Sequence, residues 1–278
     1  FYLILTAGIL SILGTLTVLL FSPERVPIII ESQKALALPG IQETLLGLFP
    51  RNLFQTFIPG ANNLLPIVLL AVLIGAHFTY DSLSTRPSID LFDSLSRVFY
   101  RLNAFFVEII GVAVLVLGLY FVMNLKSIEE IGLFRQLIVV LIVDTAIVLF
   151  VLYPVLYWLF ARKKGHPFKW IFCLLGPAIA GFLSGDMYFS SGILVRHGNE
   201  NLGVPRSIGS PVYSSFAFFG RAGTAMITTI AFVVIFRSYS SLDIRFMELL
   251  WIMVMGFALS FALGTMPGMG AIVAISFL

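Results

Sequence analysis

The sequence predicts an all-α polytopic membrane protein with two re-entrant helical hairpins and a broken helix between them. Composition gives the first indication: 59% of the 278 residues are hydrophobic and 11% are charged, whereas about 25% are charged in soluble domains. Apolar runs long enough to cross a bilayer core of about 30 Å recur along the chain. Several of these runs contain Gly- or Pro-rich breaks, which membranes tolerate only where protein or a cavity satisfies the freed backbone groups.

Charge and side-chain chemistry argue against several classes of protein. The net charge is only +3, and the basic residues lie between apolar runs, so they indicate orientation at a membrane surface and not nucleic-acid binding. His77, His166 and His197 lack the spacing of a metal motif, and Cys173 is a lone cysteine in an apolar run. The sequence has no Ser/His/Asp or Cys/His arrangement and no phosphate-binding loop, so an enzyme is the least favoured class.

Four predicted spans precede the first hairpin. They comprise residues 2–21, 53–80, 102–123 and 133–160. The second contains a Pro/Gly break with paired amides at residues 59–63, so we expect a discontinuous helix there. Glu108 in the third span is interpreted as an interfacial acid, with a proton relay as the alternative. Asp144 in the fourth is too deep for its carboxylate to reach the interface, so we expect a packing partner on a neighbouring helix.

Loop charges predict the orientation of the chain. The densest basic cluster, residues 162–169, directly follows the fourth span and is expected on the cytoplasmic side. Residues 126–135 balance two acids against two bases, and alternation of the spans places this loop outside. The chain starts and stops within apolar runs, which predicts that it is part of a longer, transporter-sized protein.

Two segments have apolar arms that are too short to cross a bilayer. Residues 170–183 and 188–195 flank Gly185 and Asp186, and residues 247–263 precede a Gly/Pro-rich stretch at 264–270. A helical hairpin that enters halfway and returns fits both patterns, with the breaks at the tips. The alternative for each is a kink within one long tilted helix.

The apolar run at residues 208–236 contains a cluster of small residues and one charge. The small residues are Gly220, Ala222, Gly223 and Thr224. Such residues let a second backbone approach or let the helix unwind. The charge is Arg221, which at membrane depth faces a cavity and needs a partner. We expect its guanidinium to bind Asp186 or a substrate carboxylate through parallel hydrogen bonds; the alternative is solvation in a water-filled crevice.

Four stretches carry a family resemblance. They are residues 49–54 with 63–75, residues 201–208, residues 223–225 and residues 263–271. In order and spacing they resemble the dicarboxylate/amino acid:cation symporter family, the glutamate-transporter-like proteins. They are similar, respectively, to the family's fourth helix, the segment between its first hairpin and seventh helix, the end of its Asn-Met-Asp-Gly-Thr signature, and the tip of its second hairpin.

The resemblance implies a glutamate-transporter-like fold in which residues 1–278 form one transport domain fragment. Its parts are the third and fourth family helices (1–80), the fifth and sixth (87–163), the first re-entrant hairpin (168–200), the broken seventh helix (205–237), and the first arm and tip of the second hairpin (241–278). The family's first two helices and its eighth are not covered. The resemblance also implies a multi-pass protein of the cell membrane, plasma or bacterial inner, that assembles as a homotrimer.

The resemblance further implies where solute and ions bind. The implied substrate-binding residues are Gly185, Asp186, Met187, Arg221, Thr224, Met266, Pro267, Gly268 and Gly270. Thr6 and Thr265 are the implied sodium ligands. The family's Asn and Asp cation ligands correspond here to Gly220 and Ala222, which have no side-chain oxygen for a hard cation. Arg221 stands where Met is usual.

These observations support several hypotheses of function. The favoured one is a symporter of a small anionic solute, such as a dicarboxylate or an acidic amino acid. It would use elevator-type alternating access, with no cofactor and with sodium or a proton as coupling ion. The missing cation ligands motivate the alternative of a transport-inactive membrane receptor or scaffold that retains the fold, and a passive channel is the third hypothesis.

Overall fold

The computed structural model describes residues 2–21, 23, 65–78, 84–127, 131–160, 166–239 and 244–262. These residues form helices and no strands. The α-helices are α1 (Tyr2–Phe21), α2 (Leu65–His77), α3 (Arg86–Ser127), α4 (Arg135–Ile147), α5 (Tyr153–Phe160), α6 (Pro167–Cys173), α7 (Leu175–Ser184), α8 (Met187–Glu200), α9 (Arg206–Phe219), α10 (Ala222–Tyr239) and α11 (Phe246–Ala262). The predicted all-α architecture is confirmed for this part of the chain.

Four stretches of helix among the described residues are long and apolar enough to cross a membrane. They are Tyr2–Phe21, Arg86–Ser127, Arg135–Phe160 and Arg206–Ser238. A fifth is possible if Pro167–Cys173 and Leu175–Ser184, which are bent by 49° relative to each other, count as one span. The 42-residue α3 has no buried residue, as expected of a helix with an apolar second half that faces lipid. The predicted break at residues 59–63 lies outside the described residues.

A cluster of buried aliphatic side chains holds α1, α4, α10 and α11 together. Its members are Leu10, Val18, Val140, Val148, Met226, Ile230, Val233, Val234 and Ile252. The closest approach is at Gly14 of α1, where an added Cβ would lie 2.9 Å from Met226 Cγ and 3.0 Å from the Met226 carbonyl oxygen of α10. Ser11 Oγ of α1 donates to Met253 O of α11 at 3.1 Å. Small residues of α1 thus bring three helices into direct contact, as in other membrane helix bundles.

The segment from α7 to α8 folds back on itself. A Cβ at Gly181 would lie 3.3 Å from Ser190 Oγ, and one at Gly176 would lie 2.6 Å from His197 Cε1. Gly181 and Ser190 are close to the turn, whereas Gly176 and His197 are more distant from it. The two helices are therefore antiparallel. Residues 170–198 form a helical hairpin and not one kinked helix, while its re-entrance into the membrane stays a prediction. The bend at Leu174, between α6 and α7, was not predicted.

At its C-terminal end, α4 continues directly into a π-helical segment at Val148–Leu152, and this segment continues directly into α5. The Tyr153 backbone N–H donates to Val148 O, five residues back. Pro154 supplies a physical reason, because it has no N–H to donate to the carbonyl of Phe150. The predicted span at 133–160 is therefore one helical run with a local change of hydrogen-bond register.

A labelling experiment tests the orientation predicted from the loop charges. In a Cys173→Ser background, Lys164→Cys should resist a membrane-impermeant thiol reagent applied to intact cells, because the basic cluster is expected in the cytoplasm. Lys126→Cys, at the end of α3, is the matched position on the opposite side and should react readily. Ready reaction at position 164 together with protection at 126 would reverse the predicted topology.

Candidate functional site

A cavity of about 440 Å³ lies between the turn of the α7–α8 hairpin and the break between α9 and α10. Its lining residues are Pro177, Ala178, Gly181, Gly185, Met187, Ser190, Gly220, Arg221, Gly223, Thr224 and Ile227. The volume is within the range of about 300–1,000 Å³ typical of small-molecule sites. Most of the lining side chains are small, so backbone and the few larger groups determine the chemistry of the cavity.

The turn of the hairpin owes its shape to three consecutive residues. Gly185 has φ 65°, ψ 8°, a left-handed conformation that glycine adopts without steric cost. Asp186 is the N-cap of α8, and its Oδ1 accepts from the Tyr188 backbone N–H at 2.8 Å. Ser184 Oγ accepts from the Asp186 backbone N–H at 3.1 Å. The Asp186 carboxylate therefore stabilises the start of α8.

The break between α9 and α10 is a single tight turn centred on Gly220. Its dihedral angles are φ −79°, ψ 63°, and the Arg221 backbone N–H donates to Phe219 O at 2.9 Å. Both features define an inverse γ-turn. A Cβ at Gly220 would overlap the Phe216 carbonyl oxygen, so glycine suits this position. The turn starts α10 at Ala222, and the positive end of that helix dipole lies beside the cavity.

Arg221 is the charged residue of the site. It is 7% exposed and lies among the residues that line the cavity. Its Nε donates to Phe218 O and its Nη2 donates to Tyr188 Oη, each at 3.4 Å. Both partners are neutral, and no carboxylate of the described residues forms an ion pair with Arg221. The guanidinium thus brings an uncompensated positive charge to the wall of the cavity.

Tyr188 is the side chain that positions this guanidinium. Its ring centroid lies 5.9 Å from Arg221 Cζ and 5.3 Å from the Phe218 ring centroid. A cation over an aromatic face at this distance is attracted to the ring. The first turn of α8 is therefore linked to the α9–α10 break through one phenol ring.

The structure brings several of the predicted substrate-binding residues together and leaves others apart. Gly185, Met187, Arg221 and Thr224 all line the cavity. Asp186 does not, and the expected pair between Asp186 and Arg221 does not form, because the carboxylate accepts a backbone N–H of its own turn instead. This leaves a substrate carboxylate as the remaining predicted partner. Met266, Pro267, Gly268 and Gly270 lie outside the described residues.

The positions predicted for cations differ in their surroundings. Gly220 lines the cavity, whereas the Ala222 side chain packs against the hydrophobic cluster of α1, α4, α10 and α11. Thr6 Oγ1 lies 2.8 Å from Tyr2 O and 3.1 Å from Leu3 O, so its hydroxyl donates within its own helix. Thr265 lies outside the described residues. No group of three or more His, Cys, Asp or Glu that could hold a metal ion occurs in the described part of the chain.

Sequence reasoning did not select the α7 wall of the cavity or Tyr188 as the partner of Arg221. Pro177, Ala178 and Gly181 lie one to four positions apart on α7 and share one face of the helix. Their small size was a usable signal, since close packing in membranes selects small residues. From the sequence, Tyr188 could be assigned only to the region of the hairpin turn. Its contact with Arg221 could not be predicted, because the two residues lie 33 positions apart in the chain.

A comparison with protein-family models decides the affiliation of the chain. The model of the sodium:dicarboxylate symporter family matches residues 1–278, the whole sequence. The chain belongs to the sodium:dicarboxylate symporter family. This confirms the resemblance drawn from the four stretches. No curated protein matches the chain in a direct sequence search.

Membership in this symporter family agrees with the structure. The family is one of transporters and not a class of enzymes. The described residues supply four or more helices able to cross a membrane. Together they identify this symporter-family chain as a multi-pass membrane protein.

Two substitutions of Tyr188 separate its ring from its hydroxyl. Tyr188→Phe keeps the ring beside Arg221 and removes a hydrogen bond of 3.4 Å, so solute affinity should fall by less than about fivefold, or about 1 kcal/mol. Tyr188→Leu removes the ring as well and should weaken binding further than Tyr188→Phe. Isothermal titration of the purified variants checks both values. Equal losses in the two variants would contradict a role for the ring.

Proposed function

We propose that this chain is a secondary active symporter of a small anionic solute, such as a dicarboxylate or an acidic amino acid. The observation that carries the proposal is the buried Arg221 guanidinium, which lines a cavity and has only neutral partners among the described residues. A buried charge without a counter-charge is unfavourable. A ligand carboxylate can neutralise it through two parallel hydrogen bonds.

Three further features support an anionic ligand in the same place. The N-terminus of α10 begins at Ala222, next to Arg221, and favours negative charge. Gly223 has open space around the position of a Cβ, so a solute can approach the backbone there. Thr224 lines the cavity, and its hydroxyl can donate to a second carboxylate or to another polar group of the solute.

Elevator-type alternating access is proposed as the transport mechanism, from family membership. In this proposal the hairpin and the broken helix carry the solute between the two sides of the membrane. Homotrimeric assembly and the assignment of residues 1–278 to one transport domain are proposed on the same ground.

The alternative function is a transport-inactive receptor or scaffold. It is favoured by one specific observation: Gly220 and Ala222 provide no side-chain oxygen for a coupling cation, and Ala222 packs against the apolar cluster. Such a protein could still bind an anion at Arg221 without moving it. Transport is therefore the property that separates the two proposals.

Solute uptake into proteoliposomes tests the proposed function. Labelled dicarboxylates and acidic amino acids are supplied with a sodium gradient, with a proton gradient and with neither, and a neutral amino acid of similar size serves as control. A symporter accumulates an acidic solute under at least one gradient and discriminates against the neutral one. Binding without uptake under any gradient would favour the receptor or scaffold.

Solute binding should depend only weakly on sodium. The positive charge that a bound cation would bring is already supplied by Arg221, and the residues at positions 220 and 222 have no side-chain oxygen to bind a cation. Replacing sodium with choline should change the solute dissociation constant by less than about threefold, or about 0.7 kcal/mol. Equilibrium titration at several sodium concentrations checks this, and a steep dependence would show that sodium binds elsewhere in the site.

A further inference from the structure

Asp144 is a fully buried acid in the middle of a helix that can cross the membrane. It is 0% exposed and lies one helical turn from both Val140 and Val148, which belong to the apolar cluster. Its Oδ2 lies 2.9 Å from Thr17 Oγ1 of α1, which is the partner on a neighbouring helix expected for this residue. Its Oδ1 has no hydrogen-bond partner. An ionised carboxylate in these surroundings would be strongly disfavoured.

No described positive charge compensates this acid. The described elements that pack most extensively against α4 are the turn at Ile131–Phe134, the π segment and α1, and their only titratable residue is Tyr2. Arg135 lies at the start of α4 itself, about 13 Å along the helix axis. Helix α10 also contributes to the apolar cluster around Asp144. Its Arg237 forms no ion pair with Asp144 among the described contacts.

The surroundings of the Thr17 hydroxyl distinguish the two protonation states of Asp144. Thr17 Oγ1 lies 3.0 Å from Leu13 O, 3.1 Å from Gly14 O and 2.9 Å from Asp144 Oδ2. A hydroxyl has one proton to donate and two lone pairs with which to accept. If Asp144 is ionised, that proton goes to Oδ2, and Oδ1 is left as a buried, unsatisfied oxygen that shares a negative charge.

A neutral Asp144 fits the same atoms better. Its Oδ2–H donates to Thr17 Oγ1, and the Thr17 O–H donates to Leu13 O or Gly14 O, so both hydrogens are used. Oδ1 is then the carbonyl oxygen of an uncharged acid, which is far easier to bury without a partner than a charged oxygen.

We propose that Asp144 and Thr17 form a proton-binding site between α4 and α1, and that the proton bound there is the coupling ion of this chain. The coupling role rests on the proposed transport function. It accounts for the absence of side-chain oxygens at positions 220 and 222, since a chain that couples to a proton needs a buried titratable group and no set of sodium ligands.

Infrared spectroscopy of the purified protein in lipid tests the proton site without any transport. The difference between wild type and Asp144→Asn near neutral pH should contain the carbonyl stretch of a protonated carboxylic acid, shifted in D₂O. Thr17→Val should move this band to higher frequency because the acid loses its acceptor, and Thr17→Ser should leave it in place. A carboxylate band without a carboxylic-acid band would overturn the proposal, as would a band that Thr17→Val does not move.

Proteoliposome uptake under a pH gradient tests the coupling role. Asp144→Asn should bind solute with wild-type affinity and lose pH-gradient-driven accumulation. Asp90→Asn, the same change at an exposed acid of α3, should accumulate solute like wild type. Normal accumulation by Asp144→Asn would refute coupling at this residue. If wild type takes up no solute under any gradient, the proposed transport function fails instead, and the infrared result still decides whether Asp144 holds a proton.

Discussion

Arg221→Gln should weaken binding of an acidic solute by at least about 30-fold, or about 2 kcal/mol. The guanidinium is 7% exposed and borders the cavity, so its removal leaves a bound carboxylate in a poorly solvated place without its counter-charge. Arg221→Lys should give an intermediate loss, since an ammonium keeps the charge but not the planar fork of donors. Equilibrium binding of a labelled acidic solute to purified protein measures each variant.

The matched control is Arg97→Gln. The Arg97 side chain is 70% exposed and pairs with Asp93 on the same helix, outside the cavity near Arg221. This variant should bind solute with wild-type affinity, because exposed ion pairs contribute little. Equal losses in Arg221→Gln and Arg97→Gln would indicate a general effect of charge and would contradict a solute carboxylate on Arg221. A neutral solute that binds as tightly as the acidic one would contradict it as well.

Gly14→Leu should produce the largest loss of stability among single glycine substitutions on α1. Even a Cβ at this position would lie about 3 Å from Met226 and Ile230 of α10, and part of this contact is backbone that cannot move aside. Overpacking of such a site costs about 1–3 kcal/mol, which should lower the midpoint of thermal unfolding of the solubilised protein by at least about 3 °C.

Gly8→Leu provides the comparison on the same helix. A Cβ at Gly8 has nothing within 4 Å, so the added side chain should be tolerated there. The two variants share the change in helix propensity and differ in the packing against α10. If both lower the midpoint equally, the cause is the loss of glycine and not the contact between α1 and α10.

The features that were predictable from the sequence depend on neighbouring residues or on long apolar runs. The spans at residues 2–21 and 133–160 are apparent from length and hydropathy alone. The turn of the first hairpin was predictable because Gly185 and Asp186 interrupt an apolar run with a residue suited to positive φ and a helix N-cap. The break at Gly220 was predictable from the small residues around it.

The features that were not predicted depend on which of several possible partners a side chain binds, and on how helices distant in sequence pack. Opposite charge alone favoured a pair between Asp186 and Arg221. The Tyr188 N–H lies two residues from Asp186 and satisfies the carboxylate locally, as Asp side chains at helix starts commonly do. The partner of Asp144 was expected on a neighbouring helix, yet its identity as Thr17 required the packing of α1 against α4. The bend at Leu174 differs from these cases, because Gly176 and Pro177 follow it and Pro177 has no N–H to donate to the Cys173 carbonyl, a local signal that the prediction did not use.

The π segment at Val148–Leu152 contains one residue more than a regular α-helical path would need. If all of these residues were instead wound into a regular α-helix, its two halves would rotate relative to each other by about 100°. Either Asp144 would turn away from Thr17, or Tyr157 would turn away from the Trp170 ring, which lies 5.5 Å from its own. The wide turn therefore takes up the extra residue and keeps the two packing faces of one helix in their relative orientation.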